Sequence, residues 1–139
     1  MRASQRTRSA RESESHDGEV VARFQPARYH IALPGFVYGG LIASLADCQA
    51  MATAAAASMT AAGAVPGIDP TPRFVTASLH VDYLRPTPVG QELVLRSRAT
   101  DVGERKVIVE MSISANDVEC VRARVIAVPA PATMRPPGS

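Results

Sequence analysis

One stretch, GGLIASLADCQAMATAAAASMTAA at residues 39–62, constrains this chain more than any other. It contains no proline and is loaded with alanine, the best helix former, so its local preference is helical over about six turns. Placing residues about 100° apart puts Leu41, Leu45, Cys48, Ala52, Ala55, Ala56 and Met59 on one stripe. Gly40, Ser44, Asp47, Met51, Ala54 and Ser58 fall on another, which leaves the single carboxylate off the main apolar stripe. Side chains this small on nearly every side call for packing on most sides. In a short chain that means a curved sheet around the helix.

The 139 residues (14.7 kDa) suffice for one domain with a real core, and 46% hydrophobic with 20% charged residues is ordinary for a globular protein. The longest apolar run falls short of the roughly 20 residues of a membrane span, and no apolar segment follows the N-terminal arginines, so cytoplasm is the expected location. Cys48 and Cys120 do not make a disulfide framework, suit a reducing compartment, and read as small buried or half-buried hydrophobes. A net charge of +2 and the lack of tryptophan argue against nucleic acid.

Residues 1–17, rich in Ser and Arg, read as a disordered tail. EVVARF before Pro26 is a short strand, and residues 29–37, with a Pro-Gly pair, form the loop into the helix. After the helix, GAVPGIDPTP breaks regular structure. In residues 74–84 Val75, Ala77, Leu79, Val81 and Tyr83 alternate with Thr76, Ser78, His80 and Asp82, a strand with one face buried. Three more strands follow, with Leu93, Leu95 and Ala99, then Val107, Val109, Met111 and Ile113, then Val121, Ala123, Val125 and Ala127 inward. Residues 129–139 are a Pro/Ala tail that cannot pair. The result is an α+β chain: one long central helix wrapped by a curved antiparallel five-stranded sheet. The open edge of the strand at residues 74–84 invites a second subunit, and a homodimer is expected.

This order of elements, with PGFVYGGLIASLAD at residues 34–47 and FVTASLHVDYLRPTPVG at residues 74–90, resembles the hotdog-fold thioesterases of the PaaI type over residues 18–128. In that family the central helix begins with His-Gly-Gly and an Asp follows the first Gly by eight residues, the spacing of Gly39 and Asp47 here. A Ser or Thr seven residues before an aromatic joins the site, as Thr76 precedes Tyr83. The motif's His is Tyr38 in this chain, and an Asn six residues before that His corresponds to Ala32, with His30 two residues earlier. The resemblance implies hydrolysis of acyl-CoA thioesters without metal or prosthetic group, coenzyme A entering only as part of the substrate. It implies catalytic roles for Asp47, Gly39 and Thr76 and a homodimer or a dimer of dimers, with Gly40 touching substrate and, where the chain departs from the motif, Tyr38 and His30 as the substrate-touching candidates in place of the His and Asn.

Thioester hydrolysis needs a group that polarises the carbonyl and one that attacks it or activates water. Unpaired N–H groups at Gly39 and Gly40 suit the first task, although the glycines serve equally for close packing of helix on sheet. Asp47, the one acid between Glu19 and Asp69, suits the second, as general base or nucleophile. Thr76 orients water or holds the carboxylate, but strand parity sets it opposite the core-facing residues. His80 and Asp82 share a strand face without a third ligand, so no metal site is expected. Arg96, Arg98, Arg122 and Arg124 point outward, to solvent or to coenzyme A phosphates. A hydratase or dehydratase on the same fold would pair a His with the acid, and His30 is the local candidate; a binding module without catalysis is the other rival, motivated by Tyr38 and Ala32. Seven residues separate Gly40 from Asp47, about 10 Å of axis at ~1.5 Å per residue, so one helix cannot present both groups to one carbonyl. Two antiparallel helices across a dimer twofold can, and the resembling family builds its sites that way.

Overall fold

The computed structural model describes residues 12–16, 18–27, 31–33 and 35–134. The tail expectations for residues 1–11 and 135–139, and the role given to His30, lie outside the described residues. The alanine-rich stretch is a single helix, α1 (Gly39–Ala62). Gly63 ends it in the left-handed region at φ 70°, donating its N–H to the Thr60 carbonyl at 3.1 Å while Ala64 donates to Met59 at 2.9 Å. A side chain at that φ costs roughly 1–2 kcal/mol, which is why glycine closes the helix.

Among the described residues eight strands accompany α1: β1 (Glu12–His16), β2 (Glu19–Phe24), β3 (Ile31–Leu33), β4 (Phe36–Val37), β5 (Phe74–Tyr83), β6 (Leu93–Val102), β7 (Val107–Ala115) and β8 (Val118–Pro129). Six form one antiparallel sheet in the order β1-β2-β6-β7-β8-β5, and β3 with β4 makes a small ribbon. The five expected strands are all present. The sixth, β1, comes from the segment read as tail: Glu12 to His16 pair with Arg23 to Glu19. An edge strand is held by its backbone ladder, so ESESH carries no apolar alternation by which to recognise it. At the other end, β8 runs on to Pro129, and Ala130 donates its N–H to the Arg73 carbonyl at 2.9 Å, so the C-terminal tail begins later than read. A short 3-10 turn follows at Ala132–Met134.

The sheet wraps α1, and the inward residues of its central strands follow the expected alternation. Leu93, Leu95, Val107, Val109, Ile113, Val121, Val125 and Ala127 are fully buried. Each large aliphatic side chain among them contributes roughly 1.5–3 kcal/mol relative to exposure. The hairpin from β7 to β8 turns on Asn116 and Asp117, both at positive φ (51° and 63°), the backbone that a two-residue hairpin requires.

The helix face differs from the expectation. Ile42, Leu45, Ala46, Gln49, Ala50, Thr53, Ala54 and Met59 are buried, whereas Cys48, Ala52 and Ala56 of the predicted stripe are exposed. Alanines on opposite sides of a helix have the same hydropathy, so periodicity could not choose between them. The helix is also long and apolar enough to cross a bilayer by length and composition, contrary to the reading of the apolar runs. In the fold its buried face lies against the sheet. Its start is set by the preceding loop: Val37 donates to the Thr87 carbonyl (2.8 Å), Val89 donates to Gly35 (2.9 Å), and Phe36 bridges Pro88.

Candidate active site

Asp47 stands where the buried face of α1 gives way to the edge strand β5. It is half-buried, and the Thr76 hydroxyl donates a hydrogen bond to its Oδ1. Strict alternation along β5 would forbid this contact. The ladder shows how it arises: Thr76 pairs with Ala127 and Ser78 with Ile126, so Ala77 is an extra residue in a β-bulge. Before the bulge Thr76 shares the helix-facing side of β8's Ala127; after it Leu79, Val81 and Tyr83 share that of Val125, Ala123 and Val121. The eight residues from Thr76 to Tyr83 thus oppose seven on β8, and both side chains face the helix. Met51 Sδ, one turn beyond Asp47, lies 3.8 Å from the Thr76 hydroxyl. Among the described residues nothing else bonds to Asp47, so Oδ2 is left to accept a proton from water or to meet a substrate.

The second cluster surrounds the helix start. Tyr38 is the N-cap in extended conformation (φ −75°, ψ 149°), makes no capping bond, and the first turn contains no acid. The first-turn amides therefore lack both a side-chain acceptor and a compensating charge. Tyr83 donates its hydroxyl to the Gly39 carbonyl at 2.8 Å and lies so close that a Cβ on Gly39 would stand 3.3 Å from its oxygen. A Cβ on Gly40 would meet the Tyr38 ring at 3.1 Å. The two glycines thus have a packing reason, room for two tyrosine rings, beside any use of their N–H groups. A cavity of about 430 Å³ opens here, lined by Phe36, Tyr38, Gly39, Ile42, Tyr83 and Thr87 among others.

Gly39 and Asp47 remain about 12 Å apart along α1 at ~1.5 Å per residue, so one protomer does not bring them together. Other nominated groups lie elsewhere. His80 is on the outer face of the sheet, 3.1 Å from Asp82. Register puts Arg96, Arg98, Arg122 and Arg124 on that same outer face, away from Asp47 within the protomer. Arg96 pairs with Glu19 at 3.4 Å and Arg122 with Glu119 at 2.7 Å; the hydrogen bond that Arg122 donates to Glu119 raises the Arg122 pKa. A second cavity, about 310 Å³, lies on the opposite flank of α1 between Thr53, Ala57, Ala61 and Arg98, and Arg98 is the one nominated residue in its wall. Sequence reasoning missed Tyr83 as the residue seated on the helix start. Its odd spacing from Thr76 was the available signal, since two residues seven apart share a face only across a bulge.

Residues 34–122, well over half of the chain, match the family model of the thioesterase superfamily. The acyl-coenzyme A thioesterase THEM4 of Xenopus laevis is 35% identical over 101 residues, which cover 70% of this chain and 38% of that protein. The chain therefore spans about two fifths of the length of this relative. A thioesterase superfamily protein from Shewanella loihica PV-4 has a solved structure with 43% identity and a TM-score of 0.72, covering 88% of this chain and 93% of that one. The PaaI protein of E. coli, from the phenylacetic acid degradation operon, shares the fold at a TM-score of 0.71 with 15% identity, covering 87% and 80%. One long helix wrapped by an antiparallel sheet is the hotdog fold, and with this family match the chain belongs to the thioesterase superfamily.

Proposed function

We propose that this chain hydrolyses acyl-CoA thioesters as a homodimer whose two helices each supply half of two sites. The observation that carries the reading is the pairing of Thr76 with Asp47 on the same edge strand that seats Tyr83 against the uncapped helix start. β5 is the last strand of the sheet, and two of its helix-facing residues stay uncovered: Leu79 is 39% and Tyr83 52% exposed, while Val125 and Val121 beside them on β8 are fully buried. An uncovered apolar edge of this kind favours pairing with a second copy.

In the proposed site the thioester carbonyl oxygen accepts a hydrogen bond from the Gly39 N–H of one protomer, beside Tyr38 and Gly40. The partner's Asp47, held through Oδ1 by a threonine hydroxyl, either takes a proton from an attacking water or attacks the carbonyl carbon itself. On the water route the water oxygen bonds to the carbonyl carbon, the carbon–sulfur bond breaks with its electron pair on the coenzyme A sulfur, and the proton taken by Asp47 passes to that sulfur; on the direct route the same bond breaks as an acyl–Asp47 anhydride forms, and water then cleaves the anhydride to the free acid and the aspartate. Water-excluded amide donors at the developing oxyanion contribute a factor of about 10²–10³. No metal or prosthetic group takes part in this scheme. A panel of acyl-CoA substrates with a thiol-reactive dye, run beside Asp47→Ala, tests it: wild-type protein releases coenzyme A and the variant does not. Equal release by both would remove Asp47 from the mechanism. The hydratase reading has no support among the described residues, where His80 is on the far face and no histidine reaches Asp47.

A further inference from the structure

Gln49, Thr53 and Ser97 are each at most 1% exposed, and together they form a polar cluster inside the core. Gln49 Nε2 donates to Ser97 Oγ (3.0 Å) and to the Val20 carbonyl (3.2 Å). Thr53 and Ser97 hydroxyls lie 2.7 Å apart, Ser97 also reaches the Val20 carbonyl at 3.2 Å, and Thr53 bonds the Gln49 carbonyl at 2.8 Å. The cluster ties α1 to β6 and β2 together.

Between Leu45 and Met59 α1 gains from such a tie, because apolar patterning of these middle turns says little about their rotation. The exposed row Gly40, Ser44, Cys48, Ala52, Ala56 and the buried row Ala46, Ala50, Ala54 are built from side chains of nearly one size. A turn of about 160° would exchange one row of small residues for the other, and only Ile42, Leu45 and Met59, toward the two ends of the helix, oppose it by apolar burial. Polar bonds are not exchangeable in that way: any other rotation strands Gln49 or Ser97 unsatisfied in the core. At about 100° per residue Gln49 and Thr53 lie about 200° and 240° around the helix from Asp47. The rotation that satisfies the cluster is therefore the one that turns Asp47 onto Thr76.

We propose that Gln49, Thr53 and Ser97 are positioning residues, a register lock that holds α1 at the single rotation in which Asp47 meets Thr76. The inference rests on the proposed role of Asp47 for its effect on catalysis, but not for its effect on the helix. Buried polar groups that specify register at little gain in stability have precedent in coiled coils.

The test replaces the lock by apolar groups of similar volume, Gln49→Leu/Thr53→Val/Ser97→Ala, with Gln49→Met as the milder variant and Thr53→Ser as the conservative one. In ¹H–¹⁵N spectra the wild type and Thr53→Ser show one set of α1 amide signals. The triple variant melts cooperatively at or above the wild-type temperature, yet its α1 amides are doubled or broadened, kcat falls at least about ten-fold and KM changes less than about two-fold. If the triple variant does not fold, Gln49→Met is read by the same spectra and kinetics and decides the matter. A folded apolar variant with one sharp set of α1 signals and wild-type kcat would overturn the proposal. If wild-type protein hydrolyses no acyl-CoA, the proposed function fails while the spectra still decide on the lock.

Discussion

The two flanks of α1 hold polar side chains under opposite conditions. Toward β6, Gln49, Thr53 and Ser97 are dry and bonded to one another and to the backbone within one protomer. Toward β5, Asp47 is half-buried, its one partner among the described residues is an exposed threonine, and β5 is the last strand of the sheet there. Polar groups complete within the protomer set the position of the helix. Those left incomplete at an open edge are available to a substrate and a second subunit. The same helix thus carries a finished structural contact and an unfinished chemical one.

Breaking the open flank should cost activity and leave the fold intact. Asp47→Asn keeps the side-chain shape and removes the charge; kcat should fall by about 10²–10⁴, the usual worth of a general base, with the melting temperature unchanged. A large loss of stability would mean that Asp47 belongs with the structural flank. Gly39→Pro is the next most severe. Proline suits a first helical position after an extended residue, which Tyr38 is, and deletes the amide proton while adding a Cβ against Tyr83 that alanine adds as well. A fall of about 10²–10³ in kcat is expected. Gly39→Ala keeps the N–H and should stay well above it in rate, although its Cβ crowds the Tyr83 oxygen at 3.3 Å. Thr76→Val removes one hydrogen bond to a charged group, worth about 1.5–3 kcal/mol, so about ten- to hundred-fold in kcat. Arg122→Gln on the outer face should change neither kcat nor KM, since its exposed pair with Glu119 touches neither flank. A raised KM there would instead put coenzyme A across the outer face.

Much of this arrangement is legible in the chain. The helix bounds follow from an alanine-rich stretch between Gly39 and Gly63, and the inward residues of β6, β7 and β8 from alternation that large aliphatic side chains make unambiguous. Asp47, Gly39 and Thr76 stand out by spacing. What stays hidden is what backbone geometry decides. Ala77 reads as one more inward residue in a regular strand, yet it is the bulge that turns Thr76 to the helix. Gln49 looks like one polar residue on a helix whose faces are nearly alike, and only its contacts with Val20 and Ser97 show that it points inward. β1 leaves no pattern because its backbone alone pairs it.

The central claim is that each site takes its amide donor from one protomer and its carboxylate from the other. Subunit mixing tests it most directly. Asp47→Ala and Gly39→Pro, each inactive alone, are unfolded together, refolded at equal concentration and assayed. In a twofold dimer the mixed species holds one site with both defects and one with neither, so random pairing should restore about a quarter of wild-type activity. A mixture as inactive as its two components, with heterodimers shown to have formed, would contradict the account.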